Sequence, residues 1–584
     1  MNIIFISETA QSSFIDYMKS LGHVVLIPKD PRIDSRISSH PDLVLSIVDN
    51  NLIIDENASE SIFSQLDANA IPYIKTSSNL GSMYPNDIPY NAVVTKNFLI
   101  HNLSYTNPLL LEHCKNTGKK LLHVKQGYSK CSTVVIDDEH LITSDQGIYN
   151  AVKEYMNVLL ISTGFVDLEG FDYGFLGGCS GTILDTVVFH GDLSKHPDFL
   201  RIKEFIEAAG KKLVYFTDFT LRDIGSILVL ETRKCDKKDD LVLHYKKHVN
   251  IPIFISHEGC PNDCVFCNQR KITAKAQAMT LEEVKEQIEN YCSTLDDNTY
   301  IELAFFGGSF TGIAAPLQEM YLSLAYKYKQ SGIIHAIRLS TRPDYINKEI
   351  LDRLKRYTVD IIELGVQSLD NEVLSASKRG HVVSDLYNAV SLIKSYGFQF
   401  GIQLMLGLPK DTKQRCVRSA SLAALLNPDC VRIYPTLVIK ETELASLSVL
   451  GQYSPLSLDT AVEWAKKMYE VFLSSQIPVI RMGLQPTELI AEGKEVLHGP
   501  FHPALRQLVE SSYFYDKIKK MLVLYKEHIS ALSNIKILCN PKDLSQVIGH
   551  KRKNFLELKK EYPNLQIIPD SKIRQMALDI ELYD

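Results

Sequence analysis

The chain has 584 residues, 45% hydrophobic and 23% charged, which is too long for one hydrophobic core and enough for two to four. Its formal net charge of -6 does not point to general affinity for nucleic acid or membranes. The start, "MNIIFISETAQ", lacks a basic segment before a long apolar stretch, and no uninterrupted apolar run reaches membrane-spanning length, so neither a signal peptide nor a membrane span is expected.

Residues 1–231 carry a weak internal repeat of pattern rather than identity. The unit "NAVVTKNFLIHNLSYTNPLLLEHCKNTGKKLLHVK" (91–125) reads strand, tight turn, strand, helix, strand, with Gly118 as a helix stop. The same order fits 41–75, 131–162 and 181–216. Residues 223–231 supply only a first strand, and residues 2–28 supply the missing strand, helix and strand. Four whole units and one split between the two ends make five, and the split unit would close a ring. This arrangement resembles the pentein fold, the five-bladed α/β propeller of guanidino-group-modifying enzymes and a ribosome anti-association factor. An ordinary α/β sandwich is the alternative. Catalytic penteins place a cysteine nucleophile in the last blade, where this chain has Ser226. Cys235 lies beyond it in a charged segment. His190 and Asp192 in "FHGD" are a candidate acid–base pair or a satisfied turn, and Cys131 and Cys179 read as small core thiols. A role in binding RNA or a partner protein is therefore expected for 1–231.

Residues 232–249, "TRKCDKKDDLVLHYKKHV", read as a linker. Apolar strands follow near 251–256, 301–306, 335–340, 359–364, 399–405, 430–434 and 478–481, with helical patterns between them such as 280–295. Strands separated by helices imply parallel pairing, right-handed crossovers and a full or partial α/β barrel over 250–485.

Directly after "IPIFIS" comes "GCPNDCVFCNQRK", which places Cys260, Cys264 and Cys267 at the spacing C-x3-C-x2-C. The other cysteines of the eleven are scattered, which is no disulfide framework and fits a reducing cytoplasm. A loop at the C-terminal end of a barrel strand is where such folds put their chemistry. Three soft thiolates there can hold iron or zinc. A closed zinc site wants a fourth ligand, for which His257 stands only three residues ahead, and most iron–sulfur clusters take four cysteines. Cys292, the next thiol, falls in an amphipathic helix. Three ligands on a four-iron cluster leave one iron open.

Here the chain resembles the radical SAM superfamily, whose signature is C-x3-C-x-aromatic-C, with Phe266 in the aromatic slot. The resemblance implies a [4Fe-4S] cluster on Cys260, Cys264 and Cys267, and S-adenosylmethionine on the open iron. Cleavage of that cofactor gives a 5'-deoxyadenosyl radical that takes hydrogen from a substrate. "LAFFGGSFTG" (303–312) aligns with the family's glycine-rich motif, which implies contact of Gly307, Gly308 and Ser309 with the cofactor's ammonium group. Ser340 in "IRLSTRPDYI" stands where related enzymes often have glutamate at the ribose. "IELGVQSLDNEVLSASKRGH" (362–381) implies cofactor contacts for Gln367 and Arg379. Gln403 in "IQLMLGLPKDT" stands where some relatives have aspartate.

Together with "VRIYPTLVIKET", these motifs look most like the Elongator catalytic-subunit branch, whose substrate is the wobble uridine of tRNA and which acts with acetyl-CoA. Fewer than 75 residues follow "GPFHPALRQLVES" (499–511), and none reads as the acetyltransferase's phosphopantetheine-binding loop. The last part, 486–584, is similar to the extension after the barrel in this branch, with a strand–helix–strand segment at 534–570. "VIGHKRKN" within it resembles the KH loop, but Arg552 replaces the second glycine. Lys551, Arg552, Lys553, Lys559 and Lys560 could meet phosphates or form a solvated helix face. The expectation is a radical SAM enzyme with an electron donor as partner, acting on tRNA or other RNA. The alternatives are action on a small molecule or protein, or a non-catalytic metal-stabilised binding protein. The oligomeric state stays open.

Overall fold

The computed structural model describes residues 2–231, 247–255, 260, 264–268, 278–296, 298–484, 494–524 and 534–583. Contacts divide the chain into two compact units, Met1–Asp236 with Ser474–Gln476, and Lys237–Leu473 with Ile477–Asp584.

The first unit holds five three-stranded sheets. In the sheet of Leu45–Val48, Asn51–Asp55 and Ile74–Thr76, the first two strands are antiparallel and the last two parallel. The same pattern recurs in Val93–Val94, Phe98–His101 and Lys120–His123, in Thr133–Val135, His140–Thr143 and Asn157–Leu160, and in Ser180–Ile183, Thr186–Phe189 and Lys212–Val214. The fifth sheet joins distant segments: Leu228–Glu231 runs antiparallel to Asn2–Ser7, which is parallel to Gly22–Ile27. A helix links the parallel pair each time, as a parallel crossover requires. A cavity of ≈ 200 Å³ is lined by Ser46, Val94, Val135, Thr182 and Val229, one from the first strand of every sheet.

His101 shows how tightly this unit is packed. Its ring is buried, with Nδ1 2.8 Å from Thr106 Oγ1 and Nε2 2.9 Å from Gly127 O. Burial lowers it to about 4, against the hydrogen bond to Gly127. The unfolded chain then takes up the proton first as pH falls, so stability should drop between about 6.5 and about 4, by up to roughly 3 kcal/mol. Urea unfolding across that range should show a smaller acid slope for His101→Gln than for the native chain.

The second unit is built on a seven-stranded, all-parallel sheet in chain order, an open α/β half-barrel. Its strands are β1 (Lys247–Phe254), β2 (Thr299–Phe306), β3 (Ala336–Thr341), β4 (Ile361–Gln367), β5 (Gln399–Leu406), β6 (Cys430–Pro435) and β7 (Val479–Met482). β1 begins three residues inside the segment expected to be linker, because Lys247–Phe254 pairs with β2 along its whole length. Alternation along the strands separates two environments. Leu303, Phe305, Ile337, Leu339, Ile362 and Leu364 are buried on one face. The other face carries Glu302, Arg338, Glu363, Gln403 and Arg432, so the sheet offers apolar residues to its core and polar ones to its site.

Thr280 starts the helix Leu281–Cys292 with a capping box: Glu283 N–H donates to Thr280 Oγ1 at 3.3 Å, and Thr280 N–H donates to Glu283 Oε2 at 2.7 Å. Thr280→Ala should cost about 1 kcal/mol of unfolding free energy, measured by denaturant titration. Near the chain end, Asn534–Cys539 sits between Gln566–Pro569 and Leu578–Tyr583 in a small sheet. Lys551 and Arg552 both adopt left-handed backbone there. Lys559 and Lys560 are engaged locally, by Pro563 O and by Glu557.

Candidate active site

The cysteine loop follows β1. Cys267 N–H donates to Cys264 O at 2.9 Å, a turn that sets two of the thiols on one short arc. Val265 anchors that turn: its N–H reaches Ser377 O at 3.3 Å, and its carbonyl accepts from Leu444 N–H at 2.7 Å. Phe266 packs against Val373, Met405 and Leu408, so the aromatic position clamps the loop to the barrel. His257 and Cys235 lie outside the described residues.

Two guanidinium groups face the thiols. Arg379 Nη1 donates to Cys264 Sγ at 3.2 Å, and its Nη2 donates to Gly365 O. Arg342 is held by Asp344 through bonds of 3.0 and 2.9 Å. Desolvation and the neighbouring Cys264 raise the Cys260 thiol, while Arg379 and Arg342 pull it down. Burial, then Arg379 and Arg342, lowers His381 to about 4, which keeps that ring neutral beside two cations.

The other expected contacts fall into two groups. Gly307 has φ +92° directly after β2, in the left-handed region that favours glycine. Gly308 is half-buried next to it, and Ser340 is half-buried on the inner face of β3. Gln367 ends β4 with φ +71° and accepts from Gln403 Nε2 at 3.3 Å, so the two glutamines are brought together. Ser309 also braces the loop. Its buried hydroxyl lies 2.9 Å from Thr341 Oγ1 and accepts from Arg342 N–H at 3.3 Å, tying the end of β2 to the end of β3.

Below these residues lies a charge network that the sequence reading missed. Arg338 donates to Glu302 at 2.8 Å and to Glu363 at 2.6 Å. Arg432 donates to both oxygens of Glu363, at 2.7 and 3.0 Å. Burial works to raise Glu302, but the His248 hydrogen bond and Arg338 bring it down to about 2. The four charges satisfy one another, so the floor of the site is fixed.

In the first unit, His190 and Asp192 are not an acid–base pair. His190 Nδ1 lies 3.1 Å from Arg222 O and Nε2 accepts from Gln11 N–H at 3.2 Å, whereas Asp192 caps the turn at Ser194. Cys131 is also more than a core thiol, since it donates to the buried carboxylate of Asp42 at 3.0 Å.

Three thiols in one loop, two adjacent arginines to offset thiolate charge, and a glycine-permitted approach after β2 fit an iron–sulfur cluster with one open position. The radical SAM superfamily model matches residues 254–423, and the Radical_SAM C-terminal domain matches residues 428–513. The chain carries a radical SAM domain and the C-terminal domain that goes with it. It is an enzyme of that class, whose cofactors are a [4Fe-4S] cluster and S-adenosylmethionine. A family of unknown function (DUF6873) matches residues 5–228. The chain is 34% identical over 226 residues to the uncharacterized protein MJ0486 of Methanocaldococcus jannaschii, covering 36% of this chain and 68% of that protein. It is 26% identical over 253 residues to the tRNA uridine(34) acetyltransferase of the same organism, covering 36% of this chain and 47% of the acetyltransferase. It thus spans under half of that enzyme. Among solved structures, the archaeal Methanocaldococcus infernus Elp3 with an N-terminal deletion is similar at 22% identity and a TM-score of 0.38, over 47% of this chain and 64% of that one. Among the described residues no helix is long and apolar enough to cross a membrane.

Proposed function

We propose that this radical SAM enzyme modifies RNA, with tRNA as the substrate class, in a reducing cytoplasm and with an external electron donor. The observation that carries the reading is the likeness of the radical SAM region to a tRNA uridine(34) acetyltransferase. The bound cluster and S-adenosylmethionine would together supply a carbon-centred radical that removes a substrate hydrogen. Cys260, Cys264 and Cys267 would hold the cluster. Arg379 and Arg342 would balance its charge. Gly307 and Gly308 would let the backbone approach the amino-acid end of the cofactor, and Ser340, Gln367 and Gln403 would offer polar groups to its nucleoside end. Ser309 would act by fixing the loop between β2 and β3. Clamping of the loop by Phe266 would exclude water from the reacting face.

For residues 1–231 the reading is a five-unit, pentein-like α/β propeller that serves in binding. Its support is the single strand pattern shared by five sheets, the sheet that joins both ends of the segment, and one cavity lined by all five first strands.

The test is anaerobic reconstitution, reduction and addition of S-adenosylmethionine, with and without total tRNA. Faster 5'-deoxyadenosine formation with tRNA, and deuterium uptake into the cofactor from labelled tRNA, is the expected result. Turnover that no RNA stimulates, but that a metabolite or protein fraction does, would overturn the RNA assignment.

A further inference from the structure

Four of the five pre-strand loops of the first unit bring chemistry-bearing side chains together from distant sequence. His40 and Asp42 precede the strand Leu45–Val48, Asn91 precedes Val93–Val94, Cys131 precedes Thr133–Val135, and Asp223 and Ser226 precede Leu228–Glu231. His40, Cys131 and Asp223 are 5%, 3% and 3% exposed, and one ligand atom of each lies within 4.8 Å of the others. His40 Nδ1 is 3.9 Å from Asp223 Oδ1.

The scaffold around these three is built to hold them. Asn91 Oδ1 accepts from the N–H groups of Lys130 and Cys131 at 2.8 and 3.2 Å, and its Nδ2 donates to Cys131 Sγ at 3.3 Å. Asp223 accepts from Phe175 N–H and from Gly225 N–H, each at 2.9 Å. A Cβ at Gly178 would stand 2.0 Å from Asp223 Oδ1, and one at Gly225 would stand 2.2 Å from His40 Cβ. Glycine at both positions is what lets the carboxylate and the imidazole come this close.

One buried polar atom beside the set is left over. Asp42 is 1% exposed, and its Oδ2 accepts from Cys131 Sγ at 3.0 Å and from Ser226 Oγ at 2.7 Å. Its Oδ1 has no hydrogen-bond partner among the described residues. An unmet buried carboxylate oxygen costs about 1–3 kcal/mol or more and wants a donor. Asp42 also lines the ≈ 200 Å³ cavity, which has room for water.

We propose that His40, Cys131 and Asp223 form a divalent metal site of zinc type, with a fourth position filled by water that donates to Asp42 Oδ1. One nitrogen, one sulfur and one oxygen donor suit zinc and exclude a hard ion such as magnesium or calcium. Three protein ligands with a water on the fourth position is the open form of such sites. Binding replaces the Cys131 S–H bond by a sulfur–metal bond and releases one proton to solvent. The thiolate and the Asp223 carboxylate then balance the two charges of the ion. No redox change is involved, and the site is separate from the radical chemistry of Cys260, Cys264 and Cys267.

The probe is cobalt(II), added to a full-length chain in which Cys260, Cys264 and Cys267 are replaced by alanine so that the cluster loop cannot compete. One cobalt per chain, a thiolate-to-cobalt charge-transfer band and tetrahedral visible bands are expected, with zinc displacing the cobalt. Cys131→Asp keeps a ligand and should bind cobalt without the charge-transfer band. Asp223→Asn and His40→Gln should each lower affinity by tenfold or more. No cobalt bound by a chain with native circular dichroism would overturn the proposal. So would a charge-transfer band that survives Cys131→Asp.

Discussion

Replacing Cys264 by alanine is expected to abolish iron loading and 5'-deoxyadenosine formation together. A four-iron cluster on three thiolates has no spare protein ligand, so losing one leaves a two-point attachment. Cys264 is also the thiol that receives Arg379 Nη1, at 3.2 Å, so the change strands a buried cation as well. Iron analysis and the visible absorbance of the anaerobically reconstituted protein should fall to background, and product should fall with them. Arg379→Gln is the informative comparison. It leaves all three ligands and removes the neighbouring charge with its bond to Gly365 O, so the cluster should still form but be lost to chelator about 10–100-fold more easily. A Cys264→Ala protein that keeps full iron and full turnover would remove the loop from the chemistry.

The second large effect concerns stability. Glu363→Gln should destabilise the second unit by about 3–5 kcal/mol, because Arg338 and Arg432 would both stay buried without their shared carboxylate. Trp464 is the chain's one tryptophan and lies in this unit, so its fluorescence follows the unfolding of the barrel alone. A shift in denaturant midpoint at unchanged slope is the expected signature. Replacing the whole network, Glu302→Leu and Glu363→Leu with Arg338→Met and Arg432→Met, should recover much of the loss, since apolar residues of similar volume need no partners.

This network shows what the sequence carried and where its reading stopped. The strands were legible as apolar runs, and all seven fall where the runs placed them within a few residues. Their polar members were passed over. Glu302, Arg338, Glu363 and Arg432 each alternate with buried apolar neighbours, and that period-two pattern marks them as inward-facing residues of one site. The cluster cysteines were legible because their spacing is local. Arg379 was legible only through the resemblance, since its partner Cys264 is 115 residues away. Cys131 is buried, as a core thiol would be, but its hydrogen bond was not legible for the same reason: its acceptor Asp42 is 89 residues distant. The bond between Ser309 and Thr341 was not legible either, because the two lie 32 residues apart.

The sheet that unites Asn2–Ser7 with Leu228–Glu231 has a consequence for biosynthesis. The first strand leaves the ribosome long before its antiparallel partner exists. At about 5–20 residues per second, roughly 10–45 s pass before residue 231 is made. During that interval one edge of Asn2–Ser7 offers unpaired backbone groups and the apolar side chains of Ile3, Ile4, Phe5 and Ile6, all buried in the finished protein. The four sheets between them are contiguous in the chain and can pair as they emerge. Nascent chains halted before residue 228 should therefore hold four paired sheets, bind chaperones through their first residues, and be nicked there by protease. Release of the last strand would end both.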